Sequence, residues 1–186
     1  MTRYPTNRER LMDATGDLLY QEGLHAVTVD RLAGEAGLTK PTIYNLFGSK
    51  EGLLAETLER RAEQIRRHIE ERIAAHDDPR RKLMELLQVH AEMLTSEGFH
   101  GCPLATAATQ APGSGVARDL ADRHKAWLLG QMSQLAKRAG LRAPDALAWT
   151  LLLLLEGAAA LSAVQQADVV VKHARAAVRA ILASHT

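Results

Sequence analysis

The residues best suited to chemistry lie in one short stretch, GLTKPTIYNLFGSKEGLL, residues 37–54. It mixes polar side chains (Thr39, Lys40, Thr42, Tyr44, Asn45) with apolar ones that can seat a helix (Leu38, Ile43, Phe47). Hydroxyls, amides and amines displayed on one helical face are the groups that meet phosphates and base edges of duplex DNA. Enzyme chemistry is poorly represented. The sequence has no His-Glu-x-x-His, no phosphate-binding loop and no Gly-x-Ser-x-Gly. The segment PGSG, 112–115, lacks the strand and third glycine of a dinucleotide site. Glu97 and His100 fit the Glu-x-x-His pattern of di-iron bundles. That chemistry needs two such motifs on regular helices, and Gly98 and Gly101 argue against a helix here. A helical-bundle enzyme is therefore the weaker alternative, and no metal or cofactor is expected.

The elements that must position this stretch are helical. Alanine and leucine are plentiful, aromatics make up 4% of the chain, and strand-type alternation is scarce, so the expected fold class is all-α. Leu11, Ala14, Leu18 and Leu19 form one stripe of a helix over 7–22, ended by Gly23. Thr28 caps a short helix over 28–35 that turns Leu32, Ala33 and Ala36 inward. Gly37 makes the turn, and Thr39 caps a second short helix, 39–46, with Pro41 in its first turn. Gly48 ends it, and Ser49 caps a long helix over 49–75. Another helix starts at Pro79, residues 96–103 form a loop or kink, and 111–115 form a flexible connection. Helices over 116–139, 144–164 and 168–184 complete the chain, the last capped by Asp168, for about nine in all. A long helix followed by two short ones across a glycine turn is a helix-turn-helix arrangement. The expected domains are 1–48, carrying that motif, and 49–186, with helix 49–75 bridging the two.

Composition bounds the rest. The 186 residues carry 23 Lys+Arg against 22 Asp+Glu, so net charge signals no strong partner. Residues 1–50 are balanced as well: Arg3, Arg8, Arg10, Arg31, Lys40 and Lys50 against Glu9, Asp13, Asp17, Glu22, Asp30 and Glu35. The positive field must be local, and few counterions are released per monomer on DNA. Cys102 is the single cysteine, which excludes an internal disulfide and fits a reducing compartment. The N-terminus, MTRYPTNRER, lacks a signal peptide's apolar run, so a cytoplasmic location is expected. The run ALAWTLLLLLEGAAALSAV, 146–164, is nearly apolar, but Glu156 interrupts it and its unbroken part falls short of the about 20 residues a span needs. No membrane is expected, and such a helix must be buried in a core or against a partner.

At TVDRLAGEAGLTKPTIYNLFGSKEGLLAETL the chain resembles the N-terminal DNA-binding domain of the TetR family of transcriptional repressors. The carrying residues are Thr28, Ala33, Ala36, Gly37, the run 39–44, Phe47, Ser49, Lys50 and Glu51, with Leu53 and Leu54 after them. The resemblance implies a homodimer on a palindromic operator in double-stranded DNA, with the helix near 39–45 in the major groove. By it, Lys40, Thr42 and Asn45 face base edges. Thr28, Tyr44 and Lys50 meet phosphates, with Thr39 and Pro41 in the same interface, and Arg3 or Tyr4 reaches the adjacent backbone or minor groove. Gly52 departs from the family's helix former and is expected to cost about 1 kcal/mol and loosen the long helix.

The resemblance also implies a small-molecule cavity within the helices from about 49 to 139. Met84, Leu87, Met93, Phe99, Cys102, Leu104 and Trp127 are its candidate lining, a mostly apolar set that suggests an apolar effector. Cys102 offers an alternative, a redox or electrophile sensor, if its thiol is accessible and its pKa lowered. The helices over 144–184 carry the expected dimer interface, where Gly157, Ala158, Ala159 and Ala160 allow close approach.

Overall fold

The computed structural model describes residues 4–96, 98–99, 101–110 and 115–186. Arg3, Glu97, His100 and most of the 111–115 connection lie outside them. Among the described residues there are nine α-helices and one short 3-10 turn. They are α1 (Asn7–Glu22), α2 (Val29–Ala36), α3 (Lys40–Phe47), α4 (Lys50–Ala74), α5 (Pro79–Leu94), α6 (Pro103–Gln110), α7 (Gly115–Arg138), α8 (Pro144–Ser162) and α9 (Ala167–Ser184).

Local chemistry sets the helix ends in the N-terminal region. Thr6 and Glu9 form a capping box on α1: Glu9 N donates to Thr6 Oγ1 at 3.2 Å and Thr6 N donates to Glu9 Oε2 at 2.7 Å. The Thr28 and Thr39 hydroxyls accept from the third residue beyond them, Arg31 N at 3.3 Å and Thr42 N at 3.4 Å. Gly37 closes α2 in the left-handed region, φ 62°, where a side chain would be strained. The Ser49 hydroxyl accepts from Gly52 N at 2.9 Å and caps α4. Gly52 does not behave as the sequence suggests. A Cβ built there would stand 2.3 Å from the Phe47 carbonyl oxygen, so glycine lets the α3–α4 corner close. Asp168 is not the cap of α9: Gln166 holds that position without a side-chain bond, and Asp168 sits in the first turn.

The chain forms two compact units, and neither follows a boundary at residue 48. The first comprises residues up to Gln64 together with Cys102–Ala121. Its core takes Leu11 and Leu18 from α1, Leu32 from α2, Ile43 and Phe47 from α3, and Leu53 and Leu58 from α4. Leu104 from α6 and Leu120 from α7 complete it. The start of α4 turns four apolar residues, Leu53, Leu54, Leu58 and Ala62, onto α1–α3, so these helices gain a floor that a cut at 48 would remove.

The second unit comprises Ile65–Gly101 and Asp122–Thr186. Ile65, Ile69 and Ile73 stack at four-residue intervals along α4. Around them pack Leu83 and Leu86 of α5, Leu128 and Met132 of α7, Leu147 and Leu151 of α8, and Leu182 of α9. By length and composition α8 would suffice to cross a membrane, unlike the sequence reading that found the run too short. Its Leu147, Leu151 and Leu155 are buried in this core, and Glu156 is ion-paired with Lys125 of α7.

Candidate nucleic-acid interface and effector unit

The α3 helix is seated by its apolar side. Ile43 is fully buried and Phe47 nearly so, while Leu38 packs against the same core. With those three turned down, Thr39, Lys40, Pro41, Tyr44 and Asn45 are exposed and Thr42 is half-buried. Tyr44 keeps 48% of its surface in solvent, so its phenol is displayed rather than packed. Thr28 is exposed at the head of α2, and Lys50 is half-buried at the head of α4. Both threonines double as caps, so their hydroxyls already accept one backbone N–H each. The Thr39 and Thr42 hydroxyls also bond each other at 2.9 Å.

The cations around this face are mostly committed to acids. Lys40 is ion-paired with Asp30, and that carboxylate raises its pKa, so the ammonium stays charged. Arg31 holds Glu22 and Glu35. Arg60 of α4 holds Asp13 of α1 at 2.6 Å. Arg8 of α1 donates to the Leu46 carbonyl at 2.8 Å, pairs with Glu56, and lies 4.5 Å over the Phe47 ring. It clamps the end of α3 to α4. Lys50 makes no ion pair among the described residues, and it stands at a helix N-terminus, where a cation is disfavoured unless an anion is near. Tyr4 is almost fully exposed before α1.

Sequence reasoning missed Asp30 and Arg8. Asp30 and Lys40 each stand near the start of consecutive short helices, a spacing from which the pair was legible. Nothing in the pattern placed Arg8, because its partners come from two other helices.

The expected effector residues separate. Cys102 and Leu104 belong to the first unit, where Leu104 is fully buried in the core and Cys102 is half-buried against it. Met84, Leu87, Met93, Phe99 and Trp127 belong to the second. Met84 and Leu87 line a groove of about 140 Å³ formed with Leu155, Ala158 and Val178, beside Arg175 and Arg179. Phe99 does not line the groove itself but packs on the cluster of Ala91, Leu94, Ala158, Val170 and Val171, whose first three residues do. Trp127 sits elsewhere in the unit, beside His124 and Arg66. In the first unit a cavity of about 300 Å³ opens among Asp13, Asp17 and Tyr20 of α1, Arg60 and Gln64 of α4, and Thr106 of α6.

Residues 11–57 match the family model described as bacterial regulatory proteins, tetR family. These residues include the α2–turn–α3 unit and the start of α4. Over these residues the chain is similar to the DNA-binding region of TetR-family regulators. It is 34% identical over 74 residues to the HTH-type transcriptional regulator BetI of Klebsiella pneumoniae (strain 342), covering 40% of this chain and 38% of that one. It is 26% identical over 94 residues to the HTH-type transcriptional activator FasR of Mycolicibacterium smegmatis, covering 50% and 43%. The chain thus spans less than half the length of these relatives. A TetR-family transcriptional regulator from Streptomyces coelicolor has the same fold, with TM-score 0.91 at 24% identity over 98% of this chain and 92% of that one. Among TetR-family chains, then, the N-terminal reading region matches in sequence and the rest in fold.

Proposed function

We propose that this chain is a sequence-specific transcriptional regulator of the TetR family that binds a palindromic operator as a homodimer and leaves it when a small effector binds. The observation that carries the reading is the polar face of α3, with Lys40, Tyr44 and Asn45 exposed over a helix held by Ile43 and Phe47. Lys40, Thr42 and Asn45 read base edges, while Thr28, Tyr44 and Lys50 meet phosphates.

Dimerisation is supported by the outer face of α8. Trp149, Leu153, Gly157 and Leu161 recur every fourth residue and are all exposed. On α9, Val169, Ala176, Ala180 and Ala183 are exposed, and their small size suits close helix approach. Pairing these faces with a second copy hides apolar surface that water disfavours. Two reading helices then enter successive major grooves about 34–36 Å apart. A ligand that favours another separation releases DNA, and DNA weakens the ligand by the same factor. Repression is the reading we adopt; FasR, named an activator, marks the opposite sign as the outcome that operator position would reveal.

Selection of bound duplexes from a random pool tests this. The expected product is an enriched palindrome with half-sites one helical turn apart. A pool without enrichment overturns the proposal.

A further inference from the structure

Among the described residues of the second unit, three buried polar side-chain atoms have no hydrogen-bond partner: Oγ of Ser162 on α8 and, beside one another, Nε of Arg66 on α4 and Nδ1 of His124 on α7. His124 is only 2% exposed. The Arg66 and His124 side chains lie against one ring. The Arg66 guanidinium is 5.9 Å from the centroid of Trp127, and the His124 ring stacks on it at 6.0 Å with an interplanar angle of 23°. Native interiors leave few such atoms unmet, and each one that occurs calls for an explanation, a bound partner among them.

The neighbouring charges narrow the choice. Arg72, on the same helix, is satisfied by Glu85 and Glu92, whereas Arg66 pairs with no carboxylate among the described residues. Lys125, next to His124, already holds Glu156. His90 turns its Nδ1 to the Leu86 carbonyl at 3.0 Å. Burial, with the Lys125, His90 and Arg66 side chains nearby, lowers the His124 pKa to about 3, so the imidazole is neutral and supplies one N–H. The guanidinium is a permanent cation with donors only. The missing partner is an acceptor that carries negative charge, and Trp127 offers an apolar face beside it.

We propose that Arg66 and His124 receive the carboxylate of a small apolar acid whose body lies against Trp127. The acid would be the effector of the regulator proposed above, and the inference rests on that reading. A neutral effector would leave the guanidinium uncompensated. A body without apolar surface would gain nothing from the ring.

The test titrates the full chain calorimetrically with decanoate and 1-naphthoate, and with their primary amides, which keep the body and lose the charge. At least one acid is expected to bind about tenfold or more tightly than its amide, the size of one charge-assisted hydrogen bond. Arg66→Gln is expected to abolish that ratio while leaving helix content and the unfolding midpoint as in the wild type. Trp127→Leu is expected to weaken acid and amide together. Equal affinity of acid and amide, no binding of either acid at millimolar concentration, or a ratio that survives Arg66→Gln overturns the proposal. Operator affinity measured alongside separates the two readings. An acid that binds through Arg66 without releasing DNA keeps this site and removes the effector role. Release by an amide with no preference for the acid removes this site and keeps the switch.

Discussion

Gly52 and the Phe47 carbonyl oxygen stand too close for any side chain at position 52: a Cβ there would lie 2.3 Å from that oxygen. Helix propensity alone favours alanine over glycine by about 1 kcal/mol. The clash reverses the sign, because the obstacle is backbone and cannot swing away. Gly52→Ala is therefore expected to destabilise by roughly 1–3 kcal/mol, the usual cost of overpacking, and to open the corner between α3 and α4. Urea unfolding measures it. A stabilised Gly52→Ala protein would mean the corner tolerates a methyl group and the close approach is not built in.

The proposed contact of Lys40 with DNA requires it to give up Asp30, its ion-pair partner. The exposed pair contributes little stability, so its weight falls on binding. Asp30→Asn is expected to raise operator affinity several-fold by freeing the ammonium. Lys40→Ala is expected to lower it, and to reduce the salt slope by about one if the lysine meets a phosphate, or to relax sequence preference if it meets a base. Fluorescence anisotropy across a salt series gives both numbers. Weaker binding by Asp30→Asn would show that the carboxylate positions the lysine rather than withholding it.

Helix ends were legible in the sequence because glycine, proline and small hydroxyl residues fix them locally. Asn7–Glu22 agrees with the sequence expectation to the residue, and α2 and α3 start one residue beyond their threonine caps. The face of α3 was legible for the same reason: Leu38, Ile43 and Phe47 leave few orientations open. Contacts between helices were not. The start of α4 joins the core of α1–α3, α6 sends Leu104 into that core, and Arg8 spans α3 and α4. Each depends on packing that periodicity within one helix does not encode. Of the apolar residues expected around an effector, Met84 and Leu87 share a groove and the others lie elsewhere in the two units, a division periodicity cannot make because core and pocket lining use the same side chains. Arg66 and His124 became visible only as atoms buried without a partner.

The outer face of α8 makes a separable claim about assembly. Leu153 is 67% exposed in one chain, so replacing it removes little intrachain packing. Leu153→Arg places a charge where the proposed partner helix would lie, and burying it unpaired costs several kcal/mol. Sedimentation is expected to give a folded monomer with at least about a hundredfold weaker operator binding. A variant that remains dimeric would move the interface off this face.

His124 predicts how the fold responds to acid. Burial first, then nearby cations, lowers its pKa from 6.5 to about 3, and burial lowers that of His90 too. Below pH 6.5 the unfolded chain binds protons at these sites more readily than the folded chain, so stability is full above that pH and, through His124, falls as the pH drops towards 3. Glu92, held near 2 by hydrogen bonds from Arg72, loses its contribution only below about pH 4.5. The window from pH 6.5 to 5 therefore isolates the histidines. Across it His124 alone is expected to cost about 2 kcal/mol, at 1.36 kcal/mol per pH unit. Urea unfolding at pH 6.5, 5.75 and 5 should show a steep loss in the wild type. His124→Gln should show a loss smaller by about that amount, the remainder belonging to His90. Equal slopes for the two proteins would mean that His124 takes up its proton in the fold as readily as in the unfolded chain, and that its ring is not sealed from water.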